Sequence, residues 1–195
     1  MSTTDDDNAL AVSLLQKISQ GEQQALEEFY RLFESRVYHF ALAKLNEPAD
    51  AADTVNEVMM EVWKHGHRFE NRSKVSTWLL GIAHHKIVDR LRKRQRMKQQ
   101  EDIDDHRYHL DDDSAPMEQV IHAAQNARLL QDCLDKLSGN HREVLHLAFF
   151  EDLAYQDIAR IVSCPEGTVK TRVYHAKNAL KKCLASFKDA LEPVI

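Results

Sequence analysis

The sequence predicts an all-α protein made of two small helical domains, which a flexible acidic linker joins. Apolar residues recur at helical spacings along most of the chain, and no long alternating run indicates a β-sheet. Only 5 Gly and 4 Pro occur among 195 residues, and almost all of them fall between helical patterns. The helical pattern fails in one acidic segment. We therefore predict domains at residues 9–98 and 119–188, with the linker at 99–118.

Four helices are predicted in the first domain. The first is short and ends near Gly21, and the second covers about residues 23–45 with an apolar stripe that is rich in Phe. Asn46 and Pro48 suit the cap and the first turn of the third helix. A loop at residues 65–76 then leads into the fourth helix.

The fourth helix is predicted to be long and to become strongly basic. Ser76 or Thr77 can cap it, and residues 86–98 carry seven Lys or Arg against one Asp. The preceding loop adds three basic residues and Phe69, so loop and helix together could hold a nucleic acid strand by charge and stacking. The outer face of the third helix has the opposite character, because it is acidic and amide-rich and ends near Trp63. Taken alone, such a face indicates only a solvated surface.

The second domain is predicted to open with a helix that begins near Pro116 and stops at Gly139. Asn140 and Glu143 resemble a capping box for the helix that follows. Residues 152–183 then have the pattern of a helix-turn-helix, in which the helix-breaking sequence Ser-Cys-Pro separates a short helix from a longer one. Two correctly patterned helices separated by a turn of this kind form a more specific sequence pattern than either helix alone.

The longer helix of this motif has an apolar stripe that includes Val169 and Val173, and a polar, basic outer face. In helix-turn-helix proteins the second helix enters the major groove, where its side chains read base edges and nearby cations contact phosphates. The pattern therefore indicates a DNA-binding domain, with a plain solvated amphipathic helix as the simpler alternative. The side chains expected to meet DNA are Lys170, Thr171, Arg172, Tyr174, His175 and Lys177.

Composition argues against several other classes. The formal net charge of −5 is compatible with DNA binding because the charges are segregated, with eight Asp or Glu between residues 101 and 118. Cys133, Cys164 and Cys183 form no CxxC motif, and their odd number makes a disulfide framework unexpected. No apolar run approaches the roughly 18 residues that a membrane span needs, and the acidic N-terminus is unlike a signal peptide. We expect a cytoplasmic protein without membrane insertion.

The eleven His residues invite a metal or acid-base site, but their spacing does not support one. His65 and His67 flank a glycine in a loop, and the adjacent His84 and His85 face different sides of a helix. We therefore expect no catalytic residues, no bound metal and no cofactor. A zinc-dependent redox switch through Cys164 and a histidine stays open as an alternative, which metal analysis of the purified protein would test.

Three segments together resemble the extracytoplasmic-function (ECF) sigma factors, the small two-domain promoter-recognition subunits of bacterial RNA polymerase. They are DAADTVNEVMMEVWKHGHRFE, STWLLGIAHHKIVDRLRKR and LSGNHREVLHLAFFEDLAYQDIARIVSCPEGTVKTRVYHAKNALKKCL. The resemblance covers about Leu10 to Phe187. The order and spacing of the segments, with an acidic linker between them, are more specific than any one of them.

The resemblance implies that the chain binds core RNA polymerase. In the family, the helix that corresponds to the acidic third helix docks on the clamp coiled coil of the largest polymerase subunit. The matching residues are Asp53, Asn56, Glu57, Met59 and Trp63. The acidic linker is similar to the family segment that runs through the RNA exit channel.

The resemblance also implies two contacts with promoter DNA. The helix-turn-helix is similar to the part that reads the minus-thirty-five element as duplex, and the basic loop and helix are similar to the part that captures an unpaired base of the minus-ten element. The residues assigned to the minus-ten element are Phe69, Asn71, Arg72, Lys74, Trp78, His85, Lys86 and Arg90. Many members have Asn, Arg and Ser where this chain has His85, Lys170 and Thr171, which alters the bases that can be read.

Two further expectations concern partners and alternatives. The family implies an anti-sigma factor that occludes both DNA-binding domains until a signal arrives. A free-standing helix-turn-helix regulator is a competing class, but it has no use for the acidic helix or the basic loop. Such a regulator would bind duplex DNA by itself, whereas a sigma factor is expected to bind promoters poorly without polymerase.

Overall fold

A computed structural model describes residues 3–98 and 127–191 of the chain, with side chains over 7–96 and 127–186. These residues form only helices and turns, so the all-α prediction is confirmed for the part described. The predicted linker at 99–118 and the start of the following helix lie outside it. The helices are α1 (Thr3–Ser19), α2 (Gln23–Leu45), α3 (Pro48–His65), a 3-10 turn (Gly66–Arg68), α4 (Val75–Lys98), α5 (127–135), α6 (Gly139–Phe149), α7 (Tyr155–Ile161) and α8 (Glu166–Leu191).

Several helix ends differ from the predicted caps. Asn46 adopts a left-handed conformation (φ 53°) and ends α2, while Glu47 occupies the N-cap position of α3. The start of α4 is capped from another helix, because the backbone N–H of Val75 donates to Asn8 Oδ1 at 2.9 Å. In α6 the cap is Ser138. The predicted capping box with Glu143 is wrong, since that side chain is fully buried among other helices.

The core of the first domain, α1–α4, is built from the predicted apolar stripes. Phe29 and Phe40 of α2 are fully buried, together with Val58 of α3 and Leu79 of α4. Helices α6, α7 and α8 pack on one another in the second domain, and α6 and α7 also pack on α2 and α4. As a result most of the buried apolar residues of α1–α4 form one continuous cluster with buried apolar residues of α6, α7 and α8.

A disulfide corrects the cysteine prediction. Cys133 in α5 is bonded to Cys183 in α8, with their Cα atoms 5.7 Å apart. The odd cysteine count was misleading because the third cysteine, Cys164, is a free thiol in the helix-turn-helix turn. A neighbouring apolar cluster that includes Leu137 and Leu145 packs in the same region of the domain. The disulfide therefore ties the first described helix of the second domain to the last.

Candidate DNA and protein interfaces

The outer face of α8 is presented as the helix-turn-helix pattern predicts. Val169, Val173 and Ala176 are buried against α6 and α7, which turns the opposite side of the helix outward. Tyr174 is 64% exposed. Of the six predicted DNA-contacting residues, five are exposed and Arg172 is half-buried, with its guanidinium 3.8 Å from Cys164 Sγ.

Local contacts already orient some of these side chains. Lys170 pairs with Glu166 at 2.7 Å, and this hydrogen bond raises the pKa of Lys170. The Thr171 hydroxyl donates to the carbonyl of Gly167, and the ammonium of Lys177 lies 5.2 Å from the centre of the Phe149 ring. The pair with Glu166 is solvent-exposed and therefore weak, so a phosphate can replace the carboxylate at little cost.

The turn between α7 and α8 sets the angle of this face. Ser163 has a φ of 51°, a left-handed conformation that side-chain-bearing residues rarely adopt. Cys164 N–H donates to Ala159 O at 3.1 Å, which closes the end of α7. Ile158 and Ile161 of α7 are buried, so the short helix serves as the support on which α8 rests.

The loop before α4 forms the second candidate DNA surface. The rings of Phe69 and Trp78 are in contact, with centroids 5.3 Å apart. Asn71, Arg72 and Lys74 are exposed, and Arg72 pairs with the nearby Glu70. His85 is also exposed and lies seven residues after Trp78, so both belong to one face of α4. This surface therefore combines an aromatic pair with exposed cations and amides.

Two predicted DNA-binding cations have a different environment. Arg90 is largely buried and donates to Asp50 at 2.8 Å, Asp53 at 3.3 Å and Glu57 at 2.5 Å. Lys86 pairs with Glu61 at 2.9 Å, and this hydrogen bond lowers the pKa of Glu61.

The two side chains are four residues apart on the face of α4 that packs on α3. The structure thus brings Arg90, which was assigned to the minus-ten element, together with Asp53 and Glu57, which were assigned to polymerase.

The acidic face of α3 is exposed except at one predicted position. Asp53, Asn56 and Glu57 are on the surface, and Trp63 is half-buried. Met59 is only 4% exposed and belongs to the core, so its side chain is unavailable to a partner on this face. Its spacing from the buried valines of α3 was the signal that could have shown this. The neighbouring Met60, 51% exposed, is the methionine at the surface.

No group of three or more metal-ligating side chains converges within the described ranges. No helix there is long and apolar enough to cross a bilayer.

Comparison with known proteins first defines the class. The family model for sigma-70 region 2 matches residues 29–97, and the model for sigma-70 region 4 matches residues 127–180. The chain is 30% identical over 176 residues to ECF RNA polymerase sigma factor SigK of Mycobacterium bovis (strain BCG / Pasteur 1173P2), covering 88% of this chain and 92% of that protein. SigK of Mycolicibacterium vanbaalenii is 28% identical, with 88% of each chain covered. The protein belongs to the ECF sigma factor family, whose members are transcription initiation factors, which confirms the predicted family.

Solved structures show the same fold. The sigma factor RpoE of Bartonella quintana, in complex with the anti-sigma factor NepR, matches with a TM-score of 0.65 and 26% identity, covering 82% of this chain and 96% of that one. CnrH in complex with the cytosolic domain of CnrY matches with a TM-score of 0.60 over 91% of this chain and 98% of that one. Its 18% identity supports the fold alone.

Proposed function

We propose that this chain binds bacterial core RNA polymerase, directs it to specific promoters and helps to open them. The observation that carries the proposal is the outer face of α8, where a polar, basic surface stands over a buried apolar stripe in a helix-turn-helix. Membership of the chain in the ECF family supports the same role. The chain acts as a binding subunit, and the chemistry of RNA synthesis belongs to the polymerase.

The α8 face reads the minus-thirty-five element as duplex DNA. The side chains proposed to meet base edges are Lys170, Thr171, Tyr174 and His175, and the exposure of all four on α8 supports this assignment. Arg172 and Lys177 contact phosphates, which position the helix without reading sequence. Affinity for this element should therefore fall steeply as salt rises.

The loop and the Trp78 face of α4 hold the unpaired strand of the minus-ten element. Unstacking a base costs a few kcal/mol, and stacking on an aromatic side chain returns about 1–3 kcal/mol. Phe69 and Trp78 supply the aromatic surface, while Arg72, Lys74 and His85 supply charge and hydrogen bonds. Captured bases keep the two strands apart.

The acidic face of α3 docks on the polymerase through Asp53, Asn56, Glu57 and the half-buried Trp63. The ion pairs of Arg90 with Asp53 and Glu57 support a positioning role for Arg90, because they hold two docking carboxylates in place. Lys86 is held by Glu61 in the same way. For these two cations we therefore propose support of the docking face in place of direct DNA contact.

An anti-sigma factor is a proposed partner as well. The Bartonella quintana RpoE that this chain resembles was solved in complex with the anti-sigma factor NepR. A pull-down from uninduced cells should recover an inhibitor protein along with polymerase. Recovery of polymerase alone would contradict this part of the proposal.

Run-off transcription from a genomic fragment pool, with core polymerase and with or without the protein, tests the main proposal. Protein-dependent transcripts are expected, and Glu57→Lys should abolish them by reversing the charge of the docking face. Glu27→Gln, which removes a carboxylate from an exposed pair on α2, serves as the control. Absence of transcripts together with tight duplex binding by the protein alone would indicate a free-standing regulator.

A further inference from the structure

A buried ionic cluster joins the two domains. Glu143 of α6 is fully buried, and its carboxylate accepts hydrogen bonds from Lys44 Nζ of α2 at 2.5 Å and from His84 Nδ1 of α4 at 2.7 Å. Lys44 also donates to Asn140 Oδ1 at 2.6 Å. We call these four residues the Glu143 cluster. The carboxylate of Glu143 and the amide of Asn140 belong to the second domain, whereas the ammonium of Lys44 and the imidazole of His84 belong to the first.

Charge complementarity is essential at this depth. A buried ion is costly unless it is paired, and removal of one partner leaves the others uncompensated. Burial alone would raise the pKa of Glu143, but the hydrogen bond from His84 and the charge of Lys44 together lower it. The carboxylate is therefore ionised when the domains are packed. Separation of the domains would return all three side chains to water.

Main-chain contacts surround the cluster. Arg142 Nε donates to the carbonyl of Ala43 at 2.7 Å, and its Nη1 donates to the carbonyls that end α5, at Asp135 and Leu137. A Cβ on Gly139 would lie 3.0 Å from the carbonyl of Lys44, so the backbones approach closely there. At the other end of α6, Arg36 pairs with Glu151 at 3.0 Å. The interface thus extends along the whole of α6.

This packing conflicts with simultaneous recognition of both promoter elements. The minus-thirty-five and minus-ten elements are about 25 base pairs apart, which is roughly 85 Å of B-form DNA at about 3.4 Å per base pair. A compact chain of 195 residues has a radius of gyration of roughly 16 Å. The two DNA-binding surfaces of the packed chain are therefore too close together, although the α8 face itself remains exposed.

We propose that the Glu143 cluster is an intramolecular latch, which holds the free chain in a packed form that must open before both promoter elements can be engaged. The effect on promoter engagement rests on the proposed function, whereas the packing of the two domains through the Glu143 cluster is a property of the chain alone. Opening exchanges the contacts of α6 with α2 and α4 for contacts with solvent or with polymerase. The latch restrains promoter engagement without covering the α8 face.

Small-angle X-ray scattering of the full chain tests the latch directly. Glu143→Gln and, from the other domain, Lys44→Met should each shift the equilibrium toward the open form by about 100-fold or more and raise the radius of gyration by several ångströms. Circular dichroism should show that helicity is retained. Glu27→Gln removes an exposed carboxylate and should leave the radius unchanged. The double variant Lys44→Met with Glu143→Met should be compact again, because apolar replacement of a buried ion pair is well tolerated.

The outcomes separate the latch from the proposed function. Equal radii for wild type and both single variants, or greater expansion in the double variant than in either single variant, would overturn the latch. With the latch correct, Glu143→Gln should reach half-maximal run-off transcription at a lower protein concentration than wild type, with unchanged affinity for an isolated minus-thirty-five duplex. Failure of wild type and variant alike to support transcription would overturn the proposed function, while scattering would still decide whether the domains are latched.

Discussion

Reduction of the Cys133–Cys183 disulfide should destabilise the second domain substantially. The bond closes a loop between residues 50 positions apart. Loop-closure entropy for about 50 residues gives roughly 4 kcal/mol, and measured disulfides typically contribute about 2–4 kcal/mol. With a slope of about 2 kcal/mol per molar urea, the unfolding midpoint of the oxidised protein should fall by roughly 1–2 M on addition of dithiothreitol.

The cysteines supply their own controls for this urea titration, followed by circular dichroism. Cys164→Ser should keep the full response to dithiothreitol, because that thiol is free. The double variant Cys133→Ser with Cys183→Ser should unfold at the midpoint of the reduced protein and respond to dithiothreitol no further. A response that disappears in Cys164→Ser, or persists in the double variant, would refute the pairing and the magnitude derived from it.

Three further predictions follow from single contacts. Tyr174→Ala should lower the affinity of the protein–polymerase complex for a minus-thirty-five duplex about 10-fold or more in a fluorescence anisotropy titration, and leave polymerase binding unchanged. Equal loss of both affinities would contradict this prediction. Ser163→Gly should raise the free energy of unfolding by about 1 kcal/mol in urea, since glycine adopts a positive φ without strain, and an unchanged value would count against strain at the turn. Because the pKa of Glu143 is lowered, its contribution to the free energy of unfolding is fully present above about pH 4.5 and is lost as pH falls further. Glu143→Gln should therefore lose less stability than wild type between pH 5 and pH 3, and parallel curves of unfolding free energy against pH would contradict the assignment.

Helices and the apolar core were predictable because their signals are local. The predicted second helix at 23–45 coincides with α2, and its Phe stripe is buried. The helix-turn-helix was equally visible, since a helix breaker stands between two apolar stripes of helical period. Met59 shows how local periodicity can outweigh analogy. Its register with the valines of α3 indicates the burial that the structure shows, whereas the family resemblance assigned it to the polymerase-docking face.

Long-range pairings were not predictable in the same way. Asn140 and Glu143 have the spacing of a capping box, but Ser138 is the cap and Glu143 pairs with side chains 99 and 59 positions away. The one available signal was the position of Glu143 one turn before the buried Leu147. Likewise, the basic run of α4 gave no indication that Arg90 would form ion pairs with carboxylates of α3.

The helices, the helix-turn-helix, the segregation of charge and the family could all be predicted from the sequence, because each depends on neighbouring residues or on the order of motifs. Which charges meet and which cysteines pair became evident from the packing of the helices. Arg90 with Glu57, Glu143 with Lys44, and Cys133 with Cys183 lie 33, 99 and 50 positions apart. Such contacts arise when apolar faces of separate helices pack, and the packing then requires each buried charge to find a partner, wherever in the chain that partner lies.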